Sequence, residues 1–229
     1  MKTFQLNAEP RTDLGKKAAK ALRASQKIPC VLSGGKVVEL KDGKYEGTLA
    51  EGEKVVEIGR DGKAVLTTDF TVNFNDVRKL IYTPDVYVVA LNLNGVERKA
   101  VLKDIQWHPV NDSILHLDFL EVSEDKPVVV PVPVKIEGHA VGVKAGGKLF
   151  LSMKKVKVKG IYTDIPERIV VNVEDIAIGH AIKVGDLKFD KFELANSKDL
   201  VITGVRATRA AATAAAETEE GEESEAAAE

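Results

Sequence analysis

Two polar residues, His116 and Asp118, stand in an otherwise apolar run from Ile114 to Leu120. Side chains alternate along a strand, so Ile114, His116, Asp118 and Leu120 share one face, and Leu115, Leu117, Phe119 and Glu121 the other. Three chemistries fit that pair. It can be a half-exposed face closed by its own His–Asp hydrogen bond. It can contact nucleic acid, where imidazole and carboxylate address base edges, 2′-hydroxyls or ordered water. It can also supply two ligands of a two-His-one-carboxylate metal site, as in non-haem iron enzymes, with His139 or His180 as the third. Both of those histidines fall beyond a change of texture near residue 124, and no partner to orient them is evident.

Gln106-Trp107-His108-Pro109 precedes the His116 strand, and this places Gln106 and His108 near its end. Trp107 suits either packing beside a turn or stacking on a base. The first 27 residues carry Lys2, Arg11, Lys16, Lys17, Lys20, Arg23 and Lys27 against Glu9 and Asp13. Such an excess is either a solvated helix face or the footprint of a polyanion.

Other candidates fail. Gly142 to Gly147 lacks the Lys-Ser/Thr ending of a phosphate loop and the spacing of a dinucleotide fingerprint. Cys30, the single cysteine, reads as a small buried residue that cannot form an internal disulfide. Serine elbows and zinc-type Cys/His clusters are absent from the sequence. No enzymatic activity, cofactor, metal or small-molecule substrate is expected.

The elements that must position these residues read mostly as strands. Thr3 to Ala8 alternates, and Pro10 to Leu14 is a break. Gly15 to Ala24 is rich in helix formers, with Lys16, Lys20 and Arg23 on one face. Pro29 is expected to end the helical region, and Ile28, Val31 and Leu32 open a strand that stops at Gly34-Gly35. Lys36 to Thr68 reads as one or two inserted hairpins, with Asp-Gly signals at 41–44 and 60–63. Phe74 to Tyr82 predicts a short helix capped by Asn75 or Asp76. Val86 to Leu93 and Val96 to Leu102 flank Asn94-Gly95, a strong hairpin signal. After residue 124 the runs Val128–Ile136, Val156–Gly160, Ile169–Val173 and Leu200–Val205 are strand-like. Pro131 and Pro133 argue for an edge strand or an extended β/PPII segment in the first.

The 229 residues are 44% apolar, ordinary for a globular chain, and 30% charged, a little high. No run of about 18 apolar residues predicts a membrane helix, and the N-terminus lacks the pattern of a signal peptide. From Ala207 onward the chain has seven acidic residues and one basic, without a large apolar residue, which predicts a disordered tail.

Taken together, these residues resemble bacterial large-subunit ribosomal protein twenty-five, in the long general-stress (Ctc) form that binds 5S ribosomal RNA. The matching text is Asn7-Ala8-Glu9-Pro10-Arg11, Gly15-Lys16, Ala21-Leu22-Arg23-Ala24 and Lys27-Ile28-Pro29. A second block is Asp104 to Pro109 with Leu115-His116-Leu117-Asp118-Phe119. Pro131 to Val134 and Gly138 to Gly147 resemble the second domain of that family. The resemblance covers about residues 1–33, 67–122 and 126–206.

It implies a mainly β protein. Residues 1–123 would form an RNA-binding β-barrel with a few short helices and an insertion at about 36–66. Residues 124–206 would be an all-β C-terminal domain, and 207–229 a disordered Ala/Glu-rich tail. Function would be structural, on the cytoplasmic ribosome. The barrel would dock on the loop-E region of 5S RNA, a helical stretch of non-Watson–Crick pairs. By position, the contacts fall on Arg11, Lys16, Lys20, Arg23, Ser33, Gln106, His116 and Asp118. Ser33 departs from the tyrosine usual at its place. Other large-subunit components would be further partners, and a membrane would not. The alternative is a β-barrel metalloenzyme built on His116, Asp118 and a later histidine.

Overall fold

The computed structural model describes residues 1–35, 37–39, 49–58, 63–124, 126–189 and 191–208. The Asp-Gly turn at 41–44, most of that at 60–63, and the tail beyond Thr208 lie outside them. The chain divides into two units. One comprises Met1–Val130 with Ile161–Thr163, the other Pro131–Gly160 with Asp164–Glu229. Both are mainly β.

In chain order the first unit holds β1 (Lys2–Pro10), α1 (Lys16–Ala24), β2 (Lys27–Ser33), β3 (Val37–Glu39), β4 (Glu53–Ile58) and β5 (Lys63–Asn73). These are followed by α2 (Phe74–Ile81), β6 (Tyr87–Leu93), β7 (Val96–Trp107) and β8 (Ile114–Glu121). The strands run β1-β6-β7-β8-β2-β5, and β5 returns to β1 at Glu9↔Thr71 and Pro10↔Phe70. That last pairing closes a six-stranded barrel, which leaves no free edge in the ring.

Alternation explains the barrel. Leu6, Ile28, Cys30, Leu32, Phe70, Leu91, Leu117 and Phe119 all point inward and are fully or almost fully buried. Each large apolar side chain so buried contributes about 1.5–3 kcal/mol. Val77 and Leu80 of α2 join the same core. Asn94 and Gly95, between β6 and β7, hold φ of 50° and 85°. A type I′ turn demands positive φ at both central residues, which Asn-Gly tolerates best.

β5 is longer than the barrel needs. Its C-terminal part pairs with β2 and β1, and its N-terminal part pairs with β3 and β4 instead. The inserted segment therefore extends the sheet. Two half-buried ion pairs fasten β4: Arg98 with Glu53 and Lys54 with Asp69, each at 2.7 Å.

Several expectations need correction. β1 continues through Pro10 instead of breaking after Ala8. α1 ends well before Pro29, because the Ser25 hydroxyl donates to the Leu22 carbonyl and Gln26 adopts φ 59°. Pro29 lies inside β2, where pairing with β8 begins only at the next residue. Asn73, not Asn75 or Asp76, occupies the cap position of α2. β7 runs past Leu102 to Trp107. Ile114 is buried in the core and leaves the polar face, because the β7–β8 register shifts between Gln106 and Trp107.

The second unit takes its chain from β9 (Val128–Glu137), from Pro131 onward. It continues through α3 (Val141–Lys144), β10 (Lys148–Leu151), β11 (Lys155–Gly160), β12 (Ile169–Asn172), β13 (Ala181–Lys183), β14 (Glu193–Leu194) and β15 (Val201–Arg206). One sheet is ordered β12-β9-β11-β14, the other β10-β15-β13. Val132, Val156, Val158, Ile169, Val171 and Ile202 are buried. β9 is an interior strand, contrary to the edge alternative for its prolines. β12 pairs with it only from Val134 onward, past both prolines. The glycine-rich connection opens with the short helix α3. A side chain at Gly142 would meet the backbone of Ala177 and Ile178 at 2.8 Å, which explains the glycine.

Candidate nucleic-acid interface

The outer face of the barrel along β7 and β8 is built by register. Gln106 lies directly opposite His116, and Asp104 opposite Asp118. This quartet sits between two irregularities in the ladder, at Leu102/Asp104 and at Gln106/Trp107. Such bulges twist a strand and re-aim its side chains. Between them, Leu117 and Phe119 still anchor β8 inside, so the polar residues are held outward by a rigid core.

Within the quartet, His116 Nδ1 lies 2.7 Å from Asp118 Oδ1, with 22% and 34% of the side chains exposed. The Nδ1 atom is shielded from solvent, and its contact is not an aligned hydrogen bond. The pair is thus close and geometrically constrained. The Asp104 carboxylate accepts a hydrogen bond from the Ile105 amide at 2.9 Å.

β2 flanks the other side of β8, with Val31 beside Asp118 and Ser33 beside Leu120. The Ser33 hydroxyl donates to the Phe119 carbonyl at 3.0 Å. α1 packs on β2 through half-buried Ala18, Ala19 and Leu22. Arg23 joins the helix to the quartet, its Nε donating to the Leu115 carbonyl at 3.0 Å. The carbonyl it reaches belongs to the residue just before His116.

The charge of the N-terminal segment concentrates on α1. Lys2 pairs with Asp85 and Lys27 with Glu9. Lys16, Lys17 and Lys20 are exposed and have no ion-pair partner among the described residues. Two of these lysines occupy the first turn, which has no acidic residue and no side-chain cap. Cations there oppose the helix dipole and add to the positive field of the free N–H groups. A phosphate would reverse that cost.

Arg11 follows β1. Its amide donates to Asp69 O at 2.9 Å, and its Nε to Asp13 O at 2.6 Å. Asp69 in turn donates to the Gly52 carbonyl at 2.8 Å. Gly52 has φ 81°, and a Cβ there would stand 2.6 Å from Asp69 O. A cleft of about 380 Å³ lies between Arg11–Asp13 and Ala18, Ala21 and Leu22 of α1.

His108 does not join the quartet. Its Nδ1 accepts hydrogen bonds from the Val110 and Asn111 amides, both at 3.2 Å, and thereby shapes the β7–β8 turn. Trp107 packs edge-on against Tyr82, ring centroids 6.0 Å apart. Sequence reasoning missed Asp104 and Tyr82. The alternation of Asp104 and Gln106 around half-buried Ile105 was the available signal for the first. Nothing local marks the second.

Among the described residues, no group of three His, Cys, Asp or Glu side chains converges as metal ligands. His139 and His180 lie in the second unit. The metalloenzyme alternative therefore has no support.

Comparison with known proteins accords with the barrel and its second unit. The Ribosomal L25p family model matches residues 6–69 and 55–119. The model for the ribosomal protein TL5, C-terminal domain, matches 127–209. Large ribosomal subunit protein bL25 of Porphyromonas gingivalis is 46% identical over 212 residues, 92% of this chain and 96% of the relative. The bL25 of Azobacteroides pseudotrichonymphae is 46% identical over 211 residues, 92% and 97% of the two chains. That of Bacteroides thetaiotaomicron is 42% identical over 217 residues, 92% and 95%. The chain belongs to the bL25 family of large-subunit ribosomal proteins. Members of the bL25 family are structural ribosomal proteins, not enzymes. Within the described residues, no helix is long and apolar enough to cross a membrane.

Proposed function

We propose that this bL25 protein binds 5S ribosomal RNA in the large subunit, at the non-Watson–Crick helical stretch of loop E. α1 and the β7–β8 face form the contact. The observation that carries this reading is the cross-strand placement of Gln106 against His116, with α1 tied to the same strand through Arg23. One surface thus presents cations and polar hydrogen-bonding groups side by side.

The two sets have different work. Lys16, Lys20, Arg23 and Arg11 neutralise phosphates, which supplies affinity and salt dependence. Gln106 and His116 address 2′-hydroxyls and base edges in the wide, shallow minor groove of A-form RNA. Asp118 does not attract RNA by charge. Its carboxylate, with Oδ1 2.7 Å from His116 Nδ1, acts on the same face as an acceptor for 2′-hydroxyls and base edges. Ser33, bonded to Phe119 O, stabilises the β2–β8 seam and offers its oxygen as an acceptor.

A gel-shift titration of the full chain with 5S RNA tests the reading. Nanomolar-class binding is expected. Four phosphate contacts would give a log K against log salt slope of roughly −3 to −4. Binding that is weak and indifferent to salt would count against it.

A further inference from the structure

A second surface lies outside the eight proposed contacts, at the α2 end of the barrel. Phe4, Arg78, Lys79, Tyr82, Thr83 and Tyr87 line an open groove of about 580 Å³. No carboxylate is among its lining residues. Tyr82 is 60% exposed, and Trp107, packed edge-on against it, is 41% exposed. Phe4 and Tyr87 meet edge-to-face on the far wall, centroids 6.1 Å apart. Arg78 and Lys79 are exposed, with no ion-pair partner among the described residues.

Exposed rings of this size are not needed by the core, which α2 already completes with Val77 and Leu80. Aromatic faces bordered by free cations suit a splayed-out base and its phosphates, because every base has a π-face and every linkage a negative charge. Trp107 is also the residue after Gln106 on β7. Trp107 therefore links the aromatic pair to the strand that carries Gln106.

We propose that this groove binds an unpaired stretch of ribosomal RNA, with a base stacked on Tyr82 and Trp107 and phosphates on Arg78 and Lys79. The proposal rests on the reading of the chain as an RNA-binding protein, but not on loop E as the duplex it holds.

Trp107 is the only tryptophan of the chain and packs against Tyr82 of the groove, so its fluorescence reports on that wall. A short single-stranded oligouridylate, titrated into the full chain, is expected to quench it. Tyr82→Ala, and separately Arg78→Ala with Lys79→Ala, should weaken that binding at least roughly fivefold, the lower end of a lost base stack. Tyr82→Phe keeps the ring and should bind like the parent. Absence of quenching, the result if another protein uses the groove, overturns the proposal. Unchanged affinity in the two alanine variants overturns it as well. If 5S RNA fails to bind while the oligonucleotide still quenches, only the loop-E reading falls. If 5S RNA binds and the oligonucleotide does not quench, only the groove falls.

Discussion

Gln106 on β7 and His116 on β8 are cross-strand partners on the outer face of the barrel, bracketed by two register shifts. Their side chains are held by strands, not by a loop, so RNA would meet a preformed surface. Truncating either to alanine should weaken 5S RNA binding by about 1–2 kcal/mol, roughly five- to thirtyfold. A double-mutant cycle by filter binding is expected to show coupling between them, since both would address one minor-groove site. Strict additivity would separate them.

The α1 cations should act differently. Lys16→Ala and Lys20→Ala are each expected to reduce the steepness of the salt dependence by about 0.7–0.9, with little change in preference among RNA sequences. Arg23 has a second role, because its Nε holds the Leu115 carbonyl. Arg23→Lys keeps the charge but not the planar fork. It should preserve the salt slope while lowering affinity. Salt titrations of the three variants distinguish these outcomes.

Phe70 and Phe119 face each other in the barrel core, centroids 5.7 Å apart, both fully buried. Phe119→Ala should cost about 3–5 kcal/mol, because the cavity cannot collapse in a closed ring. Urea unfolding measures it directly. The neighbours of Phe119 along β8 are Asp118 and Leu120, so RNA binding should fall along with stability.

Cys30 links the core to the polar face. Burial first, and the Asp118 carboxylate second, push its thiol well above the ordinary range. An unfolded thiol titrates near about pH 8.5. The folded protein keeps its proton to higher pH than the unfolded chain does. The Cys30 contribution to stability is therefore fully present below about pH 8.5 and is lost as pH rises toward the folded value. In urea unfolding, the advantage of the parent over Cys30→Ala should shrink between about pH 8 and pH 10. A difference that stays constant would mean the thiol is not held protonated by its surroundings.

Where side chains alternate without interruption, the fold was legible in the sequence. Leu117 and Phe119 point inward, His116 and Asp118 outward, and Asn94-Gly95 makes the turn its chemistry requires. Interrupted patterns were not legible. The shift between Leu102 and Asp104 breaks the period of β7 and hid the strand that carries Asp104 and Gln106. The barrel itself was expected only from the family resemblance, because a closure such as Glu9↔Thr71 pairs distant segments and has no local signature. The same holds for the site. Its residue types are readable one by one, yet the Arg23–Leu115 bond and the Tyr82–Trp107 contact join residues far apart in the chain. Only the fold makes them neighbours.

The central claim is that α1 and the β7–β8 face bind the non-Watson–Crick stretch of 5S RNA. It is tested most directly by comparing affinity for native 5S RNA with that for a version whose loop E is replaced by a Watson–Crick duplex, with the parent chain and with Asp118→Ala. Tight binding to native RNA, a loss of at least roughly tenfold on the duplex version, and weaker native binding by Asp118→Ala are expected. Equal affinity for both RNAs, or tighter binding once the Asp118 charge is removed, would contradict it.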